Sequence, residues 1–207
     1  MPKMDFKKEF KELYTASKNK PTILEVPEIN YLMIDGQGDP NTSLEYKQAM
    51  ETLFPVSFKV KFISKKEKSQ DYVVMPLEGI WWMENMENFN VDDKSNWKWT
   101  AMIMQPDFIT KTIIKKAMKE VESQKNLPEL SKMRFESYKE GLCAQILHIG
   151  PYSNEKQTVS ILHDFITKEG YEFNGEKHGE RHHEIYLSDV RRSKPENLKT
   201  IIRQPLK

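Results

Sequence analysis

The chain lacks most of the features that mark common functional classes. A single cysteine, Cys143, in 207 residues rules out an intrachain disulfide, so no oxidising compartment is required. Its apolar neighbours in "GLCAQILHIG" read as a small buried residue rather than a nucleophile, because nothing beside it would stabilise a thiolate. No excess of one charge exists either: 32 Lys and Arg stand against 31 Asp and Glu, a formal net charge of +1. That balance argues against a general nucleic-acid or membrane-surface binder. No apolar run approaches the length of a membrane span, and "MPKMDFKKEFKELY" has no apolar centre like that of a signal peptide, so a cytoplasmic protein is expected. Gly-rich phosphate loops, Ser-His-Asp order and Cys-His pairs are missing. The charge runs "KKEFKE", "SKKEKSQD" and "KKAMKEVESQK" mix both signs and read as solvated faces.

What is present is aromatic. Four Trp fall within nineteen residues, at 81, 82, 97 and 99, a density that suits either a packed core or an aromatic pocket. The pattern around them alternates strands and helices. A short amphipathic helix over 4–14 is followed by "PTILEVPEINYLMIDGQG", read as two strands around Pro27–Glu28, and by a helix entered at Asn41–Ser43. "SFKVKFI" alternates as a strand, and "YVVMPLEGIWWM" and "WKWTAMIMQ" are further strands on either side of the polar loop "ENMENFNVDDKSN". Asp107 caps a helix running to about Gln124.

The order then repeats. "MRFESYKEGLCAQILHIG" reads as a hairpin turning at Glu140–Gly141, "SNEKQTVSILHDFITKEG" as a helix ending at Gly170, and "HHEIYLSD" and "NLKTIIRQPL" supply strands. "YLMIDGQGDPN" resembles "AQILHIGPYSN", aligning Gly36 with Gly150, and "EGIWWM" falls opposite "HEIYLS". The expectation is one α+β domain over 1–207, a tandem pseudo-twofold repeat of two hairpin-helix-hairpin modules, about 20–125 and about 130–207, around a central ligand groove. Edge strands would leave room for a homodimer.

Within "ERHHEIYLSD", strand alternation puts His182, Glu184 and Tyr186 on one face. A carboxylate in an aromatic pocket would be desolvated and its pKa raised, towards that of a general base. Trp81 and Trp82 are adjacent, so at most one faces the groove directly; Trp99 is a second candidate, and Trp97 lies nearer the loop. Tyr152 ends a strand at a helix entry, a common ligand border, while His148 reads as a hydrogen-bonding residue under the helix. His182 and His183 point to opposite faces. His182 and Glu184 then give only two ligands on one side, fewer than zinc takes, so no metal and no cofactor is expected.

"YKEGLCAQILHIGPYSNE", "HHEIYLSD" and "PLEGIWW" together resemble the GyrI-like small-molecule-binding domains across essentially the whole chain. Some members of that family are effector-binding halves of transcription regulators with a helix-turn-helix unit. Only one short helix precedes the first strand here, so no direct nucleic-acid partner is expected. The "PLEGIWW" segment is similar to the stand-alone branch of cyclopropanoid cyclopropyl hydrolases, which add water to the spirocyclopropane of yatakemycin- and duocarmycin-type DNA alkylators. The resemblance implies a flat aromatic or hydrophobic ligand among Trp81, Trp82, Trp99, Tyr186 and His182, with Glu184 as base and Tyr152 or Tyr186 as donor to the developing oxyanion. It also leaves room for sequestration of hydrophobic or cationic compounds without turnover, or for a gyrase-inhibitor-like interaction module.

Overall fold

The computed structural model describes residues 2–83, 94–173 and 181–207. Six antiparallel strands close into a barrel in the order β1-β3-β2-β5-β6-β4. These are β1 (Thr22–Gln37), β2 (Leu77–Trp82), β3 (Lys98–Gln105), β4 (Arg134–Ile149), β5 (His182–Tyr186) and β6 (Lys199–Pro205). Four helices accompany them: α1 (Phe6–Glu9), α2 (Leu44–Lys68), α3 (Lys111–Glu122) and α4 (Glu155–Lys168). The α+β class is as expected, but closure leaves no free edge among the described strands, which removes the reason given for a dimer.

Each half runs strand, helix, hairpin: β1-α2-β2-β3, then β4-α4-β5-β6. The first strand of each half pairs with that of the other, and so do β2 and β5, so the pairing survives exchange of the halves. The opening hairpins expected in each half are single sixteen-residue strands. Gly141 does take a left-handed conformation, φ +78°, but the ladder passes from Val26↔Gly141 to Glu28↔Lys139 without changing register. The chain is kinked there by Pro27 and Gly141 rather than reversed.

"SFKVKFI" is helix, not strand. Its buried residues Ser57, Val60 and Ile63 continue the helical spacing of Ala49, Leu53 and Val56. The alternation would have buried Phe58 and Phe62, which are 46% and 57% exposed. Over seven residues, periods of 2 and 3.6 coincide often enough to mislead. Ser43 caps α2 by accepting from the Tyr46 amide, and Ser69, in the left-handed region, closes its C-terminus. The cap of α3 is Thr110; Asp107 instead accepts from the Asn30 side-chain amide at 3.3 Å. The helix expected over 4–14 is one turn, capped by Asp5, after which Leu13 and Tyr14 are buried without helix. The loop "ENMENFNVDDKSN" lies mostly outside the described residues, as does much of the segment leading into β5.

The barrel interior holds an ionic network as well as apolar side chains. His183, 1% exposed, places Nε2 3.1 Å from Glu78 and Nδ1 3.0 Å from Glu140. Arg203 donates to Glu140 at 3.3 Å, to Gln145 Oε1, and to the Leu13 carbonyl. Tyr14 and Tyr31 hydroxyls donate to the two oxygens of Glu78 at 2.8 and 3.4 Å. Burial alone would discharge His183, but the two carboxylates outweigh it and raise its pKa to about 9. Burial is likewise outweighed at Glu140, held down to about 2 by His183 and Arg203.

Candidate functional site

The outer faces of β2 and β5, with α2 and α4 on either side, form a cleft of about 2080 Å³. Strand alternation decides what it receives. With His183 and Ile185 turned into the barrel, His182, Glu184 and Tyr186 line the cleft, and Trp81 lies opposite His182 in the β2–β5 ladder. Gly79 stands opposite Glu184. A Cβ there would come within 2.9 Å of Trp81 Nε1, so the glycine lets the indole lie flat across the strand. The Trp81 N–H is buried and has no hydrogen-bond partner among the described residues.

The other tryptophans are placed differently. Trp82 is outside the cleft lining, with the Arg181 guanidinium 4.7 Å from its ring centroid. Trp99 is fully buried behind the cleft, where only a glycine at Gly36 leaves room for it, and it meets Tyr46 edge-on at 5.0 Å. Trp97 does line the cleft, beneath the Lys94 ammonium at 4.8 Å. Tyr152 lines it too, edge-on to Tyr186 at 5.8 Å. His148 is buried between the Thr158 hydroxyl at 2.8 Å and the Pro151 carbonyl at 3.2 Å, and Cys143 is fully buried with its thiol pKa raised by burial.

Three residues that the sequence reading missed complete the centre. Glu155, the first residue of α4, projects into the cleft so that ligand atoms of Glu155, His182 and Glu184 all lie within 4.8 Å of one another. The expectation of only two ligands on this face is therefore corrected: α4 brings a third, and the trio has the donor set of a divalent-cation site. Lys94 lies near both carboxylates, and the Tyr46 hydroxyl shares a hydrogen bond with Tyr186. Glu155 follows "HIGPYSN", so a helix N-terminus one turn from Tyr152 was the available signal; Tyr46 and Lys94 carry none.

The two carboxyls are driven apart electrostatically. Burial pushes Glu184 up, but the hydrogen bond and charge of His182, the Tyr186 hydroxyl and Lys94 together hold its pKa below the ordinary value. The expectation of a raised pKa at Glu184 is thus overturned, because desolvation is outweighed by these partners. Glu155 carries the raised value instead: burial, then repulsion from Glu184, pushes it up to about 10 against the pull of Lys94. One of its oxygens is buried without a hydrogen-bond partner among the described residues. At neutral pH the cleft therefore contains an ionised and a protonated carboxyl side by side, the separation of roles on which acid–base chemistry depends.

Residues 19–207 match the GyrI-like small-molecule-binding domain family. A solved structure of a conserved protein from Listeria innocua is 38% identical, covers 99% of this chain and 100% of its own, and superposes with a TM-score of 0.91. A second Listeria innocua structure, described as a hydrolase, is 37% identical over the full length of both chains, TM-score 0.88. The C-terminal domain of EcmrR, 10% identical, shares the fold over 91% of this chain and 97% of its own, TM-score 0.53. No curated protein matches the chain. Among the described residues, no helix is long and apolar enough to cross a membrane.

Proposed function

Because the chain belongs to the GyrI-like small-molecule-binding family, we propose that its cleft is an active site that adds water to a strained, electrophilic aromatic compound, a spirocyclopropane of the duocarmycin type being the substrate class. The observation that carries this reading is the ionised Glu184 beside the protonated Glu155 on an aromatic floor. The full-length likeness to a hydrolase at 37% identity supports it, as does the resemblance of "PLEGIWW" to the cyclopropyl hydrolases.

A flat substrate lies against Trp81, between Tyr152 and Tyr46. A water between the two carboxyls donates one hydrogen to Glu184 and the other to the carbonyl oxygen of the Glu155 carboxyl, which aims its lone pair at the cyclopropane methylene. Glu184 takes a proton as the new C–O bond forms and the strained C–C bond breaks. The released electron pair moves into the conjugated ring, turning the dienone into a phenoxide, which the proton returned through solvent then neutralises. Tyr186 already donates to Glu184, so the oxyanion falls to Tyr152.

Mass spectrometry after incubation with a duocarmycin-type cyclopropane tests the proposal. Wild type should yield a product heavier by one water. Glu184→Gln should still quench tryptophan fluorescence on binding but form almost none. Equal turnover by that variant overturns the mechanism, and binding without product by wild type leaves sequestration as the function.

A further inference from the structure

The side chains at the reacting centre also compose a second kind of site. His182 and Glu184 are two residues apart on β5, so strand alternation gives them one face, with Nε2 of the imidazole 3.0 Å from Oε1 of the carboxylate. Glu155 reaches them from the first turn of α4, and one donor atom from each of the three lies within 4.8 Å of the others. A zinc-sized ion bound at about 2.0–2.2 Å holds tetrahedral donor atoms about 3.4 Å apart, so side-chain rotation closes the remaining gap. Two carboxylates balance a charge of +2. One imidazole nitrogen tips the set away from magnesium and calcium, which favour all-oxygen sites, and towards zinc.

Two buried oxygens point the same way. One oxygen of Glu155 has no hydrogen-bond partner among the described residues. Gln204 is 3% exposed and lines the cleft, and its Oε1 is likewise buried without a partner among the described residues. The β5–β6 ladder pairs Glu184 with Ile202 and His183 with Arg203, so its next step sets Gln204 beside His182 on the same outer face. Unsatisfied acceptors at such depth cost free energy unless a cation, or water held on a cation, meets them. Lys94 lies over the Trp97 ring at 4.8 Å and acts on both carboxylates through its charge, not through a bond.

We infer that Glu155, His182 and Glu184 bind one divalent ion of the zinc type, and that the ion shuts off hydrolysis by occupying the Glu184 lone pair that would take a proton from water. The inhibition rests on the proposed active site; the binding does not. As the ion enters, Glu155 releases its proton to solvent and becomes a ligand. The cleft is then open to substrate where such ions are scarce and capped where they are abundant.

Zinc titration by calorimetry on the chelator-stripped wild-type chain, without substrate, should show a single saturable site. Glu155→Gln and His182→Asn should each weaken it about tenfold or more, because each removes one of three protein ligands. Glu172→Gln removes an exposed carboxylate that lines the cleft outside the trio, and should leave the affinity unchanged. A wild-type affinity weaker than about 1 mM, or one that Glu155→Gln leaves intact, overturns the site. Saturating zinc should then lower turnover of the cyclopropane at least about tenfold, and a chelator should restore it. Undiminished or faster turnover with the ion bound overturns the inhibition. Because binding is read without substrate, absent turnover by the metal-free chain counts against the hydrolytic reading and the inhibition built on it, while the titration alone decides the site.

Discussion

Two clusters of buried acids sit on opposite faces of one strand. Inside the barrel, Glu78 and Glu140 meet His183 and Arg203, so two negative charges face two positive ones, and phenols and a carboxamide take up further hydrogen-bonding capacity. One residue away, Glu184 is paired while Glu155 keeps an unpartnered oxygen and a displaced pKa. The interior cluster is closed: no atom in it awaits a ligand. The cleft cluster is open, and an open, desolvated cluster is what binding or chemistry requires. Burial of charge alone therefore does not distinguish a structural site from a functional one; completeness of partnering does.

Breaking the closed cluster should produce the largest effect. Arg203→Met leaves two buried carboxylates facing one imidazole, and loss of one partner from a buried ionic network costs about 3–5 kcal/mol. Urea denaturation should show that loss or outright unfolding. A cost under about 1 kcal/mol would mean that the interior network is no more tightly coupled than a surface pair.

Glu184→Gln makes the opposite prediction. Turnover should fall at least about a hundredfold, as for loss of a general base. The urea midpoint should stay close to wild type, because Gln fills the same space and its amide oxygen still accepts a hydrogen bond.

pH dependence separates the clusters without losing the fold. The His183 pKa is raised to about 9, so its stabilisation is complete below about 6.5 and fades as pH rises through 9. Glu140, held near 2, contributes above about 4.5 and loses that contribution only as pH falls towards 2. Glu155, raised to about 10, binds a proton in the folded state that the unfolded chain releases, so it erodes stability as pH climbs above about 4.5. Glu155→Gln should then raise stability at pH 7 by about 1 kcal/mol or more, because Gln avoids the proton uptake that folding imposes on Glu155. The gain should vanish by pH 4. A variant equally destabilised at both pH values would show that Glu155 is an ordinary structural residue.

Much of this was legible in the residues. Alternation in "HHEIYL" placed His182, Glu184 and Tyr186 on one face and His183 on the other, and the repeat put "EGIWWM" beside it. What was lost depended on distance in sequence. The sign of the Glu184 shift rests on His182, Tyr186 and Lys94 outweighing burial, a balance that no local pattern encodes. Glu155 reaches the site only because α4 packs on β4 and β6, beside β5. Gly141 signalled a turn, but the ladder continues past it, from Val26↔Gly141 to Glu28↔Lys139, with Pro27 between. Phe58 and Phe62 imitated a strand because a helix exposing two aromatics breaks the usual rule that patterned apolar residues are buried.

The smallest expected effect concerns two adjacent rings. Trp81 lies on the cleft floor over Gly79, and Trp82 lies outside the lining beneath Arg181. A ligand stacked on the floor should quench the fluorescence of Trp81 and leave Trp82 nearly unchanged, since quenching by contact needs the rings to touch. Trp81→Phe should therefore abolish most of the quenching and weaken binding by about 1 kcal/mol, the usual contribution of an aromatic contact. Trp82→Phe should keep both the quenching and the affinity. Gly79→Ala sharpens the point, because its methyl group strikes the Trp81 indole while leaving every polar group of the cleft in place. Weaker binding in that variant, with an unchanged pH profile of turnover, would assign the floor to holding the substrate and the carboxyl pair to the reaction.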